Sequence, residues 1–176
     1  MNESLRRLNE LSQEEARGEL LKCCGSGEWA NGLAARRPFE SLDELIEASD
    51  RIWWSLESKD WLEAFSSHPK IGEKKAAHPG PTKAQAWSEE EQARTRDAAR
   101  ETMSELMEAN LAYEAKFGYI FIVCATGKST EEMLALLKER LPSDPGTELR
   151  IAAREQSKIT QLRLKKLLKE SQESGV

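Results

Sequence analysis

The 176-residue chain has only two histidines, His68 and His78, and each stands directly before a proline in the stretch SSHPKIGEKKAAHPG. Imidazole changes charge nearest to neutral pH, so each is a candidate for moving a proton. His68 closes a predicted short helix, KDWLEAFSSH, whose Trp61, Leu62 and Phe65 anchor it to the core, and Pro69 holds the His68 backbone extended. Two readings of His68 stand side by side. One is a proton-handling group at the edge of the core; the other is a cation resting at the negative end of a helix. His78 lies between alanine and proline among lysines, with no apolar periodicity to hold it, and reads as a solvated loop residue.

A second group is SEEEQ at 88–92, which sets Ser88, Glu91 and Gln92 at i, i+3 and i+4 on one face of a helix start. Ser88 and Glu91 suffice for a capping box. The same unpaired N–H groups also attract anions, so a carboxylate substrate fits there too. No cap requires Gln92. Arg163 is the third candidate. It projects near the middle of an inward stripe made by Leu149, Ala152, Ile159 and Leu167, where a guanidinium needs an acceptor. A structural ion pair, with Glu91 as one partner, and a bidentate clamp on a substrate carboxylate or carbonyl both meet that need. Gln156 shares the face two turns earlier and favours a polar cavity; Asn110 is a similar polar residue on an apolar face.

Other chemistries find less support. GKS at 127–129 is no phosphate loop, because the first glycine of that motif would fall at Ile122. Two histidines without an H-x-x-x-H or H-E-x-x-H pattern offer no metal site. Cys23, Cys24 and Cys124 include no C-x-x-C pair and read as small buried hydrophobes of a reducing compartment, although each keeps a nucleophilic thiol.

Helices must position these groups. Ser12 with Glu15 and Ser41 with Glu44 read as capping boxes opening helices. The second of these carries Leu42, Leu45, Ile46, Ile52, Trp53 and Leu56 on one face. A long helix follows Ser88 and stops at Gly118, with Ala99, Met103, Leu106, Asn110 and Phe117 on its inner stripe. Ser129 caps the next, which Pro142 closes, and a last helix runs from about Thr147 to Lys169. YIFIVC at 119–124 is strand-like but has no partner strand, so it is expected as a buried extended segment or a helix start. The loop at 69–87 holds three prolines, two glycines and four lysines; loops this long in compact domains are uncommon and often functional. The expected architecture is all-α, a single-domain bundle of about six to eight helices. It spans residues 1–170, and residues 171–176 form a frayed polar tail.

Composition narrows the partners. A net charge of −5 without a basic stripe argues against nucleic acid. The longest apolar run is YIFIVCA, far short of the roughly 20 residues a bilayer requires. The first residues contain no apolar signal core. A cytoplasmic protein acting on a small molecule, with neither nucleic acid nor membrane as partner, is expected.

Taken in order, CCGSGEWANGLAARRPF (23–39), SSHPKIGEK (66–74), SEEEQ (88–92), NLAYEAKFGYIFIVCATGKS (110–129) and REQSKITQLRL (154–164) resemble the decarboxylases of 2-oxo-4-hydroxy-4-carboxy-5-ureidoimidazoline (OHCU). The resemblance spans nearly the whole chain. It implies an all-α, cofactor-free carboxy-lyase of urate breakdown that turns OHCU into (S)-allantoin and carbon dioxide, working as a homodimer. It also implies that His68 is catalytic with Pro69 beside it, and that Ser88, Glu91, Gln92 and Arg163 make polar substrate contacts. Backbone contacts are implied from Ile122 and Val123. His68 and Glu91 form the expected proton-handling pair. The competing expectation is a non-enzymatic helical interaction module whose inward polar residues are structural networks.

Overall fold

A computed structural model describes the backbone of residues 2–69 and 89–173, and the side chains of 2–69 and 96–169. Among the described residues there are eight helices and no strand: α1 (Glu3–Glu10), α2 (Gln13–Leu21), α3 (Gly27–Ala35), α4 (Leu42–Ser55), α5 (Ser58–Ser66), α6 (Glu89–Phe117), α7 (Thr130–Arg140) and α8 (Pro145–Glu173). The all-α expectation holds. None of these helices is long and apolar enough to cross a membrane.

Local signals set most helix starts. Ser12 accepts from Glu15 N–H while Glu15 returns to the Ser12 N–H, a complete capping box. Ser129 accepts from Glu132 N–H at the start of α7. At α4 only half of the expected box forms. Ser41 accepts from Glu44 N–H, but the Glu44 carboxylate reaches past the cap to Glu40 N–H at 2.7 Å. α8 begins earlier than expected, because Asp144 accepts from Thr147 N–H at 2.9 Å and Pro145 supplies a preset first helical residue. It also runs four residues past Lys169. Two helices, α1 and α3, escaped the periodicity reading. Their faces are short, and α3 contains Gly32, where an added Cβ would sit 3.3 Å from Ile52 Cγ2. A glycine that weakens the helical pattern is what lets α3 approach α4.

The chain forms two compact units. The first comprises Met1–His68, Ile122–Cys124 and Leu149–Val176. In it α3 packs against α2, α4 and α5, around fully buried Leu20, Trp29, Leu33, Leu45 and Phe65. Each buried indole finds an acceptor: Trp29 donates to Ser49 Oγ, Trp53 to the Ala153 carbonyl and Trp61 to the Trp53 carbonyl. The inner line of α8 is Ala152, Gln156, Thr160, Leu164 and Leu168. This corrects the expected stripe. Leu149, Ile159 and Leu167 are only half-buried, and Arg163 sits beside the inner line rather than on it. Leucines suggested one face, but the neighbours of the helix chose another, one residue round, with two polar side chains at its centre.

The second unit comprises Pro69–Phe121 and Ala125–Glu148, and in it α6 packs on α7. Here the expected α6 stripe is also corrected. Leu106 and Tyr113 are buried, Asn110 and Phe117 half-buried, and Ala99 and Met103 exposed. The Asn110 amide folds back onto the Leu106 carbonyl at 2.8 Å, which explains a polar residue there without any ligand. Tyr113 packs with Phe117, Tyr119 and Phe121, and its hydroxyl donates to Glu148. Arg140 pairs with Glu148, Nε to Oε1 at 2.8 Å, with its guanidinium 4.5 Å over the Phe121 ring. Burial, then the bond to Glu148, pushes the Tyr113 hydroxyl well above the usual phenol range.

Candidate functional site

The site is built where α5 ends, where α2 turns into α3, and along the middle of α8, all within the first unit. α5 is fastened by Trp61, Ala64 and Phe65, all buried. His68 follows it with its N–H on the Phe65 carbonyl at 3.2 Å, its ring half-buried. The loop from Cys23 to Ser26 presses against the same point. A Cβ added at Gly25 would lie 2.4 Å from Ser67 Oγ and 2.5 Å from Ser67 Cβ, so only glycine lets the two chain segments touch beside His68.

The imidazole Nε2 meets Gln156 Oε1 at 2.6 Å. Gln156 is fully buried, and its Nε2 donates to Thr160 Oγ1 at 3.2 Å. The Thr160 hydroxyl is also hydrogen-bonded to the Cys24 thiol. A chain of polar contacts thus runs from the ring through α8 to the 23–26 loop. One turn further along, the half-buried Arg163 sends Nη1 to the Cys23 carbonyl at 3.4 Å. Among the described residues no carboxylate lies within ion-pair distance of it, so most of its five N–H donors have no protein acceptor there. The Ile122–Cys124 segment meets α8 at the residue before Gln156, where Cys124 N–H donates to Glu155 Oε1 at 3.4 Å. It is extended rather than helical, with Ile122 buried and Val123 half-buried.

Of the expected site residues, His68 meets α8 at Gln156 and Arg163 reaches from α8 to the 23–26 loop, while Ile122 and Val123 belong to the segment whose Cys124 meets α8 at Glu155. Pro69 is exposed. Ser88 lies outside the described residues, as do the side chains of Glu91 and Gln92, whose backbone belongs to the first turn of α6. The partners that sequence reading did not assign to the site are Cys24, Gly25 and Thr160. Thr160 had a signal, being polar four residues after Gln156 on an otherwise apolar line. Gly25 had none. A separate cavity of about 480 Å³ lies among α1, α2 and α8, lined by Ser4, Arg7, Lys22 and Leu167 among others; His68 and Arg163 do not line it. Among the described residues no three His, Cys, Asp or Glu side chains gather as metal ligands.

The thiols are poor nucleophiles in this setting. Burial pushes Cys23 from its ordinary 9.0 up to about 12, against a smaller downward pull from Arg163, and burial raises Cys24 as well. Because the folded thiols stay protonated where the unfolded ones ionise, the native state binds more protons above pH 9, and stability falls as pH rises through that window. Melting curves between pH 8 and 11 should show this decline, and Cys23→Ala should flatten it by up to about 1.4 kcal/mol per pH unit near its middle. An unchanged slope in that variant would remove Cys23 as a cause.

Comparison with known proteins adds a lineage to this geometry. A family model described as OHCU decarboxylase matches residues 9–165. The uric acid degradation bifunctional protein TTL of Arabidopsis thaliana is 40% identical over 158 residues, covering 89% of this chain and 48% of the relative. The chain thus spans about half the length of that relative, and 34% of the uric acid degradation bifunctional protein of Bacillus sp. (strain TB-90). A 2-oxo-4-hydroxy-4-carboxy-5-ureidoimidazoline decarboxylase of Amia calva is 30% identical, covering 93% of this chain and 94% of the relative. Among solved structures, an OHCU decarboxylase crystallised in the presence of (S)-allantoin superposes with a TM-score of 0.68 at 40% identity, covering 86% of this chain and 97% of that one.

Proposed function

We propose, because this chain belongs to the OHCU decarboxylase family, that it converts OHCU to (S)-allantoin and carbon dioxide in urate breakdown, with residues 1–170 acting as one catalytic domain and residues 171–176 as a tail. The observation that supports this best is an imidazole bonded to a buried amide, on the same helix as an arginine whose described partner is a single long carbonyl contact. A structural network among the described residues does not call for a guanidinium that makes only one contact with them.

The reaction needs little machinery. The bond from the quaternary ring carbon to its carboxylate breaks and carbon dioxide leaves. The electron pair forms a C=C bond to the neighbouring ureido-bearing carbon as the C=N electrons move to nitrogen, which takes up a proton. The resulting enol gives up its hydroxyl proton to become the carbonyl of allantoin, and the ureido-bearing carbon gains one proton on a single face. The substrate supplies its own electron sink, so no organic cofactor or metal is proposed. His68 and Glu91 handle the proton. Arg163 clamps a flat carboxylate or carbonyl, and Ser88, Gln92 and the N-terminus of α6 add preorganised donors for the anion. Pro69 and the backbone of Ile122 and Val123 complete the substrate contacts. Cytoplasmic residence is proposed from three free cysteines. A homodimer is proposed from family membership, and the exposed Met103, Met107 and Leu111, spaced one turn apart on α6, supply apolar surface for it.

The test is direct. Freshly generated OHCU is mixed with the protein in chelator-treated buffer, and carbon dioxide and the optical activity of the allantoin are followed. Carbon dioxide release above the spontaneous rate, with (S)-allantoin in excess, is expected. Racemic allantoin at the spontaneous rate refutes the proposal.

A further inference from the structure

We infer that Gln156 is a positioning residue, whose amide, anchored by Thr160, fixes the orientation and the tautomer of the His68 imidazole. The inference rests on the reading of His68 as the proton-handling group. Ala152, Leu164 and Leu168 occupy the other places on this inner line of α8, so packing asks for an apolar residue at 156. A fully buried amide there is costly unless both its ends are satisfied. Both are, because Nε2 is turned to Thr160 Oγ1 at 3.2 Å and Oε1 to His68 Nε2 at 2.6 Å. A carbonyl oxygen only accepts, so the hydrogen between them belongs to the ring. Nε2 is therefore the protonated nitrogen of the neutral imidazole, and Nδ1 is the one that gains and loses the proton. Orienting partners of this kind behind a reacting imidazole set which nitrogen works.

Among the described residues, the titratable and charged groups on the surrounding elements include Glu63 on α5, Glu19, Lys22, Cys23 and Cys24 before α3, and Glu155 and Arg163 on α8. Substitution at 156 leaves all of them in place.

The test uses ¹⁵N NMR of the imidazole in the His78→Asn background, where His68 is the only histidine. The neutral ring is expected as the Nε2–H tautomer. Gln156→Glu should raise the His68 pKa by at least about one unit, since a carboxylate in contact favours the imidazolium. Gln156→Leu should lower kcat by about 10–100-fold, in the range of lost orienting partners, while KM moves by less than about threefold. Thr160→Val, which frees the far end of the amide, should give a smaller loss of kcat in the same direction. An Nδ1–H tautomer in the otherwise wild-type protein overturns the inference even if a variant fails to fold. So does an unshifted titration in Gln156→Glu. Because the NMR readout needs no turnover, a protein inert toward OHCU refutes the proposed function separately. Active enzyme that dies with His68→Asn but ignores Gln156 refutes only this inference.

Discussion

His68→Asn is expected to remove nearly all decarboxylation, by at least the roughly 10²-fold typical of losing a general acid or base, while His78→Asn should leave kcat within a factor of a few. Asparagine retains a polar side chain of similar reach at the end of α5 but cannot exchange a proton near neutral pH. The expectation rests on how firmly the ring is held. Trp61 and Phe65 anchor the preceding helix, the Phe65 carbonyl holds the His68 N–H, Gly25 permits contact with Ser67, and Gln156 fixes Nε2. Proton transfer demands such fixed geometry. His78 lies outside the described residues and in sequence has nothing beside it but proline, glycine, alanine and lysine. The pH profile of kcat should carry a histidine-range ionisation in wild type and in His78→Asn. A dead His78→Asn beside an active His68→Asn would reverse the assignment.

Arg163→Lys is expected to lose most activity, about 10²-fold or more in kcat/KM if the guanidinium meets the anion as a forked donor, while the protein stays folded. Lysine keeps the charge, and with it the electrostatic pull that Arg163 exerts on the Cys23 and Cys24 thiols. What it lacks is the planar pair of N–H groups that matches a flat acceptor. The structural cost is small. The replaced contact is one 3.4 Å bond from a half-buried side chain to the Cys23 carbonyl, worth on the order of 1 kcal/mol or less. Activity and melting temperature measured on the same preparation separate the two roles. Near-wild-type turnover would reassign Arg163 to holding the 23–26 loop against α8.

The helices legible in the sequence are those whose signals are local. Ser12 with Glu15, Ser41 and Ser129 bind N–H groups three residues away, so the interaction and its residues occupy the same short string. The same holds for the chemistry: His68 before Pro69, and the five motifs that resemble one decarboxylase family, needed no coordinates. The fold decided what depends on residues far apart. Which face of α8 turns inward follows from what packs on it, so the line passes through Gln156 and Thr160 and leaves Arg163 beside it. Gly25 reads as an ordinary turn residue until Ser67 is brought against it, and α3 looks irregular until Ile52 fills the space over Gly32. Gln156 meets His68 across 88 residues of chain. Residue types and spacings along a chain carry periodicity and capping because those act within a turn or two. The contact between the His68 imidazole and the buried Gln156 amide joins residues 88 apart, and only packing brings them together.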